Sequence, residues 1–558
     1  MNNLFLNEPL ETIPTLNRKY YCSPIVSSKG FTHLMKLVLC ANNVKSITLI
    51  KNILLNNPDE VNKHNEAGWT PFMLACRNSN TYSNIEIIKL LLNCPNIDIN
   101  KQNNNGWTAL MFACKYSKTE SNLETVKLLL NCPNIDINRQ NNNEWTALMF
   151  ACKYSKTESN LETVKLLLNC PNIDINRQNN NEWTALMFAC KYSKTESNLE
   201  TVKLLLNCPN IDINRQNNNE WTALMIACRY SNTESNLETV KLLLNCPNID
   251  INRQNNNEWT ALMIACRYSN TESNLETVKL LLNCSNADIN KQNNEGWTAL
   301  MIACRYSNTE SNLETVKLLL NCPNIDTNKQ SNGGWTALMI ACGYSNTDSN
   351  LETVKLLLNC PNIDINKQSN GGWTALMLSC KYYNNSSSMK TIELLLSNPS
   401  IDPNKNFVAH LIHEYKNFEW KIMILLLDNN IIIINKDILN NIKNLDINFT
   451  LDQLLNPLLF DLSIYGELIN KFDDKNKVKR QIYFYFHKQQ YVLPNIEVQR
   501  NNIYYKPSNI LSLCHEICFR LKLSNKKDVF DSINTKLKFL FDIKDEDDML
   551  EKIKFYLL

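Results

Sequence analysis

Glycine is scarce in this chain: 558 residues carry only 10. Gly-rich loops that cradle phosphates are correspondingly few, and no P-loop is present. There are only six histidines, at positions 33, 64, 410, 413, 487 and 515. No G-x-S-x-G elbow and no H-E-x-x-H helix is found. Neither sign of charge dominates, since 57 basic against 55 acidic side chains leave a formal +2. Nothing global therefore attracts nucleic acid or an anionic membrane. Long hydrophobic runs are also missing. The longest, Met423 to Ile434, is broken by Asp428-Asn429-Asn430 and is too short and polar to span a bilayer. The opening MNNLFLNEPLETIPTLNRKYY has no basic region followed by an apolar core, and no lipidation pattern is evident. These absences lead to the expectation of a cytoplasmic, non-enzymatic protein with no cofactor and no metal.

The chain is rich in repetition. Trp69, Trp107, Trp145, Trp183, Trp221, Trp259, Trp297, Trp335 and Trp373 recur every 38 residues, and Phe31 stands one period earlier. A fixed period in this range implies a stack of small units, which moves the functional expectation from catalysis to binding. Most of the 21 cysteines follow the period, as Cys114 and Cys132, then Cys152 and Cys170. With no CxxC pair in the array they read as reduced, mostly buried thiols. A disulfide ladder is the rival reading.

One unit shows the logic. Thr108 is a good N-cap for a short helix over Ala109–Tyr116, with Leu110, Ala113 and Cys114 on one apolar face. Ser117 to Asn122 reads as a loop. Ser121 and Glu124 form an S-x-x-E capping box, and Leu123, Val126, Leu129 and Leu130 make the buried stripe of a second helix that ends before Pro133. Ile135-Asp136-Ile137 then leads into a polar fingertip, Arg139 to Asn143. Neither helix is long enough to stand alone in water, so each unit must bury its faces against its neighbours.

Trp-Thr-Ala-Leu-Met, Ala-Cys, Val-Lys-Leu-Leu-Leu and Ile-Asp-Ile-Asn, in this order and spacing, resemble the ankyrin repeat. The resemblance implies an all-α solenoid with helix–loop–helix–finger units. It covers about residues 30–406 as ten units, each about five residues longer than the usual 33. The excess lies mostly in Lys115 to Asn122. Gly68, Gly106, Gly296, Gly334 and Gly372 precede the Trp-Thr pair, whereas Glu144, Glu182, Glu220 and Glu258 replace that glycine and are expected to alter the finger's turn. Residues 1–29 read as an extension or cap, 407–436 as a degenerate capping repeat, and 437–558 as a mainly helical C-terminal domain of no recognised family.

The resemblance implies an extended concave surface that binds protein, and no nucleic acid or membrane, from a monomeric chain. Trp107, Trp145, Trp183, Trp221, Trp259, Trp297 and Trp335 would lie at finger bases, either as a binding stripe or packed on the neighbouring finger. Arg139, Arg177, Arg215 and Arg253 with Glu144, Glu182, Glu220 and Glu258 would alternate in charge at the tips, either contacting a partner or compensating one another. Asn138 fits the family's asparagine-hydroxylation pattern, against a finger-bracing hydrogen bond. Lys475 to Phe486 combines basic and aromatic residues, and Cys514 to Cys518 offers two thiols; both read better as core. The units from Trp145 and Trp183 are identical through their next fingers, which suggests tandem duplication. With the abundance of Asn, Ile and Lys, the chain resembles the ankyrin proteins of giant DNA viruses of amoebae. That implies action on host proteins. Some viral relatives recruit a ubiquitin ligase through a C-terminal segment, and an adaptor of that kind is the alternative, although its motif is not evident here.

Overall fold

The computed structural model describes residues 29–402, except for short stretches between helices (41–43, 80–81, 118–119, 155–157, 193–195, 232, 308–309, 345–347 and 383–385), together with 498–499 and 502–503. The expected extension up to residue 28, the capping repeat 407–436 and the helical domain 437–558, with its Lys475–Phe486 and Cys514–Cys518 segments, lie outside the described residues. The exception is a short ladder in which Val498–Gln499 pairs antiparallel with Asn502–Ile503.

Residues 29–402 form ten helix pairs. In order these are α1 (His33–Cys40) and α2 (Val44–Asn56), α3 (Pro71–Arg77) and α4 (Tyr82–Leu92), α5 (Ala109–Lys115) and α6 (Glu120–Leu130), α7 (Ala147–Lys153) and α8 (Glu158–Leu168), and α9 (Ala185–Lys191) and α10 (Glu196–Leu206). Then follow α11 (Ala223–Arg229) and α12 (Glu234–Leu244), α13 (Ala261–Arg267) and α14 (Glu272–Leu282), α15 (Ala299–Arg305) and α16 (Glu310–Leu320), α17 (Ala337–Gly343) and α18 (Asp348–Leu358), and α19 (Ala375–Lys381) and α20 (Ser386–Leu396). The chain divides into two compact units, 1–337 with 360–362, and 338–359 with 363–558. In the first, each first helix of a pair packs on the first helix of the next pair, and second helices do the same. In the second, α18 and α19 both pack on α20.

The first helix begins where expected. The Thr108 side chain accepts from the Met111 amide at its N-terminus, and Lys115 stands in its last turn, where a cation complements the helix dipole. Burial is wider than the predicted face of Leu110, Ala113 and Cys114: every residue from Ala109 to Cys114 is buried. A seven-residue helix has no stability of its own, and here it is enclosed by α3, α7 and α6.

The second helix departs from expectation at its start. Helix α6 already begins at Glu120, so Ser121 lies inside the first turn and is not the cap. In α12 and α14 the cap is Thr233 and Thr271, the threonine two residues before that serine. The Thr233 hydroxyl accepts from the Asn236 amide at 3.3 Å and donates to its Oδ1 at 2.7 Å. The pairing is T-x-x-N because the asparagine is needed elsewhere. Asn160 and Asn122, its equivalents two and three units earlier, donate through Nδ2 to Ser117 and Ser79 of the preceding unit at 2.7 Å (carbonyl) and 3.1 Å (hydroxyl). Ser117 Oγ itself donates to the Cys114 carbonyl at 2.9 Å. Ser117 and Asn160 thus clamp neighbouring units together. The buried stripe of α6 is Asn122, Thr125, Val126 and Leu129, with Leu123 and Leu130 only half-buried.

Every described cysteine is a free thiol, so the disulfide ladder does not form among them. Burial pushes Cys114, Cys152 and their first-helix equivalents well up, Cys342 to about 12, which leaves them inert. The half-buried Cys132 donates to the Leu128 carbonyl.

Candidate functional site

Each finger turns at a buried asparagine. The Asn141 amide donates to the Trp145 carbonyl at 3.1 Å, and its own carbonyl accepts from the Glu144 amide at 2.7 Å. Its Oδ1 accepts from the amides of Asn143 (3.0 Å) and Trp145 (2.9 Å). The turn places Glu144 at φ 58°, with Glu182, Glu220 and Glu258 at 56–57°. Gly106 occupies the same place at φ 75° and makes the same bond, to Asn103 at 2.8 Å. Glutamate therefore does not alter the turn, contrary to expectation. The inter-residue bonds of the finger hold a side-chain-bearing residue in the left-handed region, at a cost of about 1 kcal/mol or more each. At Gly106 a Cβ would lie 2.5 Å from the Asn142 nitrogen, so a side chain there would force a shift.

Neighbouring fingers are bonded along their length. The Asn142 amide donates to the Asn105 carbonyl at 3.1 Å and its side chain to the Asn104 carbonyl at 2.9 Å. Gln140 Nε2 bridges the carbonyls of Glu144 and Gln178 at 2.8 and 2.9 Å. Asn138 donates to the Asn172 carbonyl at 2.7 Å and accepts from the Asp174 amide at 2.8 Å. Both ends of this amide brace the next finger, which is the bracing role rather than that of a side chain presented to an enzyme.

The tip charges do not pair with one another as an alternating ladder. Arg139, Arg177 and Arg253 each lie near the aspartate three residues earlier on their own finger, Asp136, Asp174 and Asp250, at 3.6–3.8 Å. Arg139 Nε also donates to Gln102 Oε1, and an Arg253 guanidinium N–H to the Asn214 carbonyl. The fingertip geometry decides this, because Asp and Arg share one edge of the finger while the glutamate follows the turn. Arg215 is exposed, and so are the carboxylates of Glu144, Glu182, Glu220 and Glu258, which have no ion-pair partner among the described residues.

The tryptophans rest on first helices rather than on the neighbouring finger. Trp107 stacks on Phe112 of its own unit (centroids 4.9 Å apart) and on Phe150 of the next (4.3 Å). Trp145 does the same with Phe150 and Phe188, and Trp69 and Trp183 end the column. The units of Trp221, Trp259, Trp297 and Trp335 carry Ile226, Ile264, Ile302 and Ile340 in place of phenylalanine. Trp107 and all later members of the row are half-buried, so ring edges remain available while faces are used in packing.

A third row escaped the sequence reading. Lys115 Nζ lies 4.9 Å from the Trp107 ring centre, 5.3 Å from Tyr116, 5.8 Å from Tyr154 and 6.0 Å from Phe150. Arg229 lies 5.5 Å from Trp221 and 5.6 Å from both Tyr230 and Tyr268. Arg267 repeats this with Trp259, Tyr268 and Tyr306, so Tyr268 is shared between successive arginines. The available signal was a paired change: Phe112, Phe150 and Phe188 accompany Lys115, Lys153 and Lys191, whereas Ile226, Ile264 and Ile302 accompany Arg229, Arg267 and Arg305.

Among the described residues no group of three or more His, Cys, Asp or Glu is placed to hold a metal ion. No described helix is long and apolar enough to cross a membrane. The family model "Ankyrin repeats (3 copies)" matches the chain in overlapping windows, 37–141, 120–217, 148–255, 193–293, 234–331, 270–369 and 309–407. The crystal structure of EF0377, an ankyrin repeat protein, is similar over 98% of its own chain and 40% of this one, at 24% identity and a TM-score of 0.33. No curated protein matches the sequence.

Proposed function

The chain belongs to the ankyrin-repeat family, and from that premise we propose that it is a non-enzymatic scaffold that binds partner proteins along its fingers and first helices. One observation carries this reading. The backbone and amide groups of successive fingers are used in bonds between repeats, while the residues that repeat outward are tip glutamates, Trp edges and ring-flanked cations. A rigid support that presents Trp, Tyr and Arg in register is what a protein interface uses for its anchor residues. A viral chain acting on host proteins in the cytoplasm is the finer form of the reading, supported by the Asn-, Ile- and Lys-rich composition and the copied units.

The test is site-specific photo-crosslinking of the full chain in cell extract. A crosslinker at Glu182 on the fingertip row is expected to capture a defined protein, and one at Lys127 on the exposed side of α6 is not. Equal capture from both positions, or none from either, would count against the scaffold. A ligase subunit that co-purifies with the full chain but is lost when residues 437–558 are removed would support the adaptor alternative instead.

A further inference from the structure

Five successive first helices, from Ala109–Lys115 to Ala261–Arg267, end in a cation with no acidic partner among the described residues. Lys127, Lys165, Lys203, Lys241 and Lys279 on the second helices each pair with the glutamate three residues before. Lys115, Lys153, Lys191, Arg229 and Arg267 have neither an ion pair nor a hydrogen bond through their side chains among the described residues. The first helices, ALMFACK and ALMIACR, contain no acid. The row is therefore a line of positive charge one repeat apart, and Arg229 and Arg267 are exposed.

We propose that this row binds an extended acidic segment of a partner protein, with a carboxylate at every third residue. The inference rests on the scaffold reading and gives its partner a chemistry. Three observations select the occupant. First, the rings beside the cations are already engaged: Trp107 lies between Phe112 and Phe150, and in the units without phenylalanine Arg229 and Arg267 themselves lie over the Trp221, Trp259 and Tyr268 rings. Nucleobases would find no open faces on which to stack, whereas carboxylates need only the outward N–H groups. Second, guanidinium groups held beside tyrosine rings are pre-organised and lose little freedom on accepting a bidentate carboxylate. Third, the spacing fits. Packed helices lie about 8–10 Å apart. A polyproline-II segment advances about 9 Å per three-residue turn, which returns every third side chain to one side.

The test uses the full chain and fluorescein-labelled peptides of about 15 residues, long enough for five turns of polyproline II. One peptide carries Glu at every third position among Pro and Ser; the other has the same composition with its glutamates clustered. Fluorescence anisotropy is expected to show the spaced peptide binding more tightly, with affinity falling as salt rises. The double variant Arg229→Gln/Arg267→Gln should weaken it about tenfold, two exposed pairs together being of that size. Arg229→Lys/Arg267→Lys, which keeps the charge, should retain part of the binding. Circular dichroism checks that each variant keeps its helices. Equal affinity for the two peptides, indifference to the Gln variants, or tighter binding of single-stranded poly(U) would overturn the proposal. Loss of peptide binding with fingertip crosslinks retained would sink only this inference; loss of the crosslinks would sink the scaffold reading as well.

Discussion

The repeats that carry Phe112, Phe150 and Phe188 and those that carry Ile226, Ile264 and Ile302 share a backbone and differ on one face. Their caps superpose in conformation, Thr146 at φ −96°, ψ 167° and Thr222 at φ −88°, ψ 166°. In the first group phenylalanine fills the gap between successive tryptophans, and a half-buried lysine lies over the column. In the second group the ring is gone, and an exposed arginine lies beside Trp and two tyrosines. A planar cation makes the ring contacts that an ammonium group makes less well. The lesson is that the repeat fold tolerates two solutions for one packing problem, and that the choice decides how much charge faces outward.

The largest expected effect falls on both groups alike and so sets the baseline for the comparison. Their buried thiols have raised values because burial disfavours the thiolate. Below the unfolded thiol value of about 8.5 both states hold the proton and stability is full. Above it the unfolded chain releases protons that the fold retains, so stability falls by about 1.4 kcal/mol per pH unit for each buried thiol. Urea midpoints should drop steeply between about pH 8.5 and 10, and Cys152→Ala should shallow the slope; a flat profile would contradict the assignment.

Converting one group into the other is the next test. Phe150→Ile removes two stacked pairs, with Trp107 and Trp145. It should cost about 1–3 kcal/mol beyond the lost area, read by urea unfolding and by hydrogen exchange in α7. Adding Lys153→Arg should recover part of that loss. If Phe150→Ile proves neutral, the aromatic column is not a stabilising element and the contrast between the groups is only one of composition.

The smallest effect concerns the fingertips. Glu182→Gly relieves a left-handed residue at φ 57° and should stabilise by about 1 kcal/mol. Gly106→Glu should do the reverse, since the new Cβ would meet the Asn142 nitrogen at 2.5 Å. Unfolding midpoints of the two variants should move in opposite directions; movement in the same direction would remove the distinction between glycine and glutamate fingers.

Much of the fold was legible because it is local. Thr108 before an apolar run announced the first helix, and the polar run from Arg139 to Asn143 announced a turn. The site was less legible. The tip arginines were visible, but their partners are aspartates of the same finger rather than the glutamates. Ser121 looked like a cap because S-x-x-E is a local signature, whereas the caps seen in α12 and α14 are threonines two residues earlier in the unit.

The sequence by itself determined the 38-residue period, the ten helix pairs and the finger turn, since caps, apolar faces and polar turns act over a few residues. Only the tertiary structure decided which partners meet between repeats. Asn122 on Ser79, Asn138 on Asn172 and Trp107 between Phe112 and Phe150 are contacts largely between units. A period brings such residues near one another, but the packing of one helix pair on the next selects the atoms that touch.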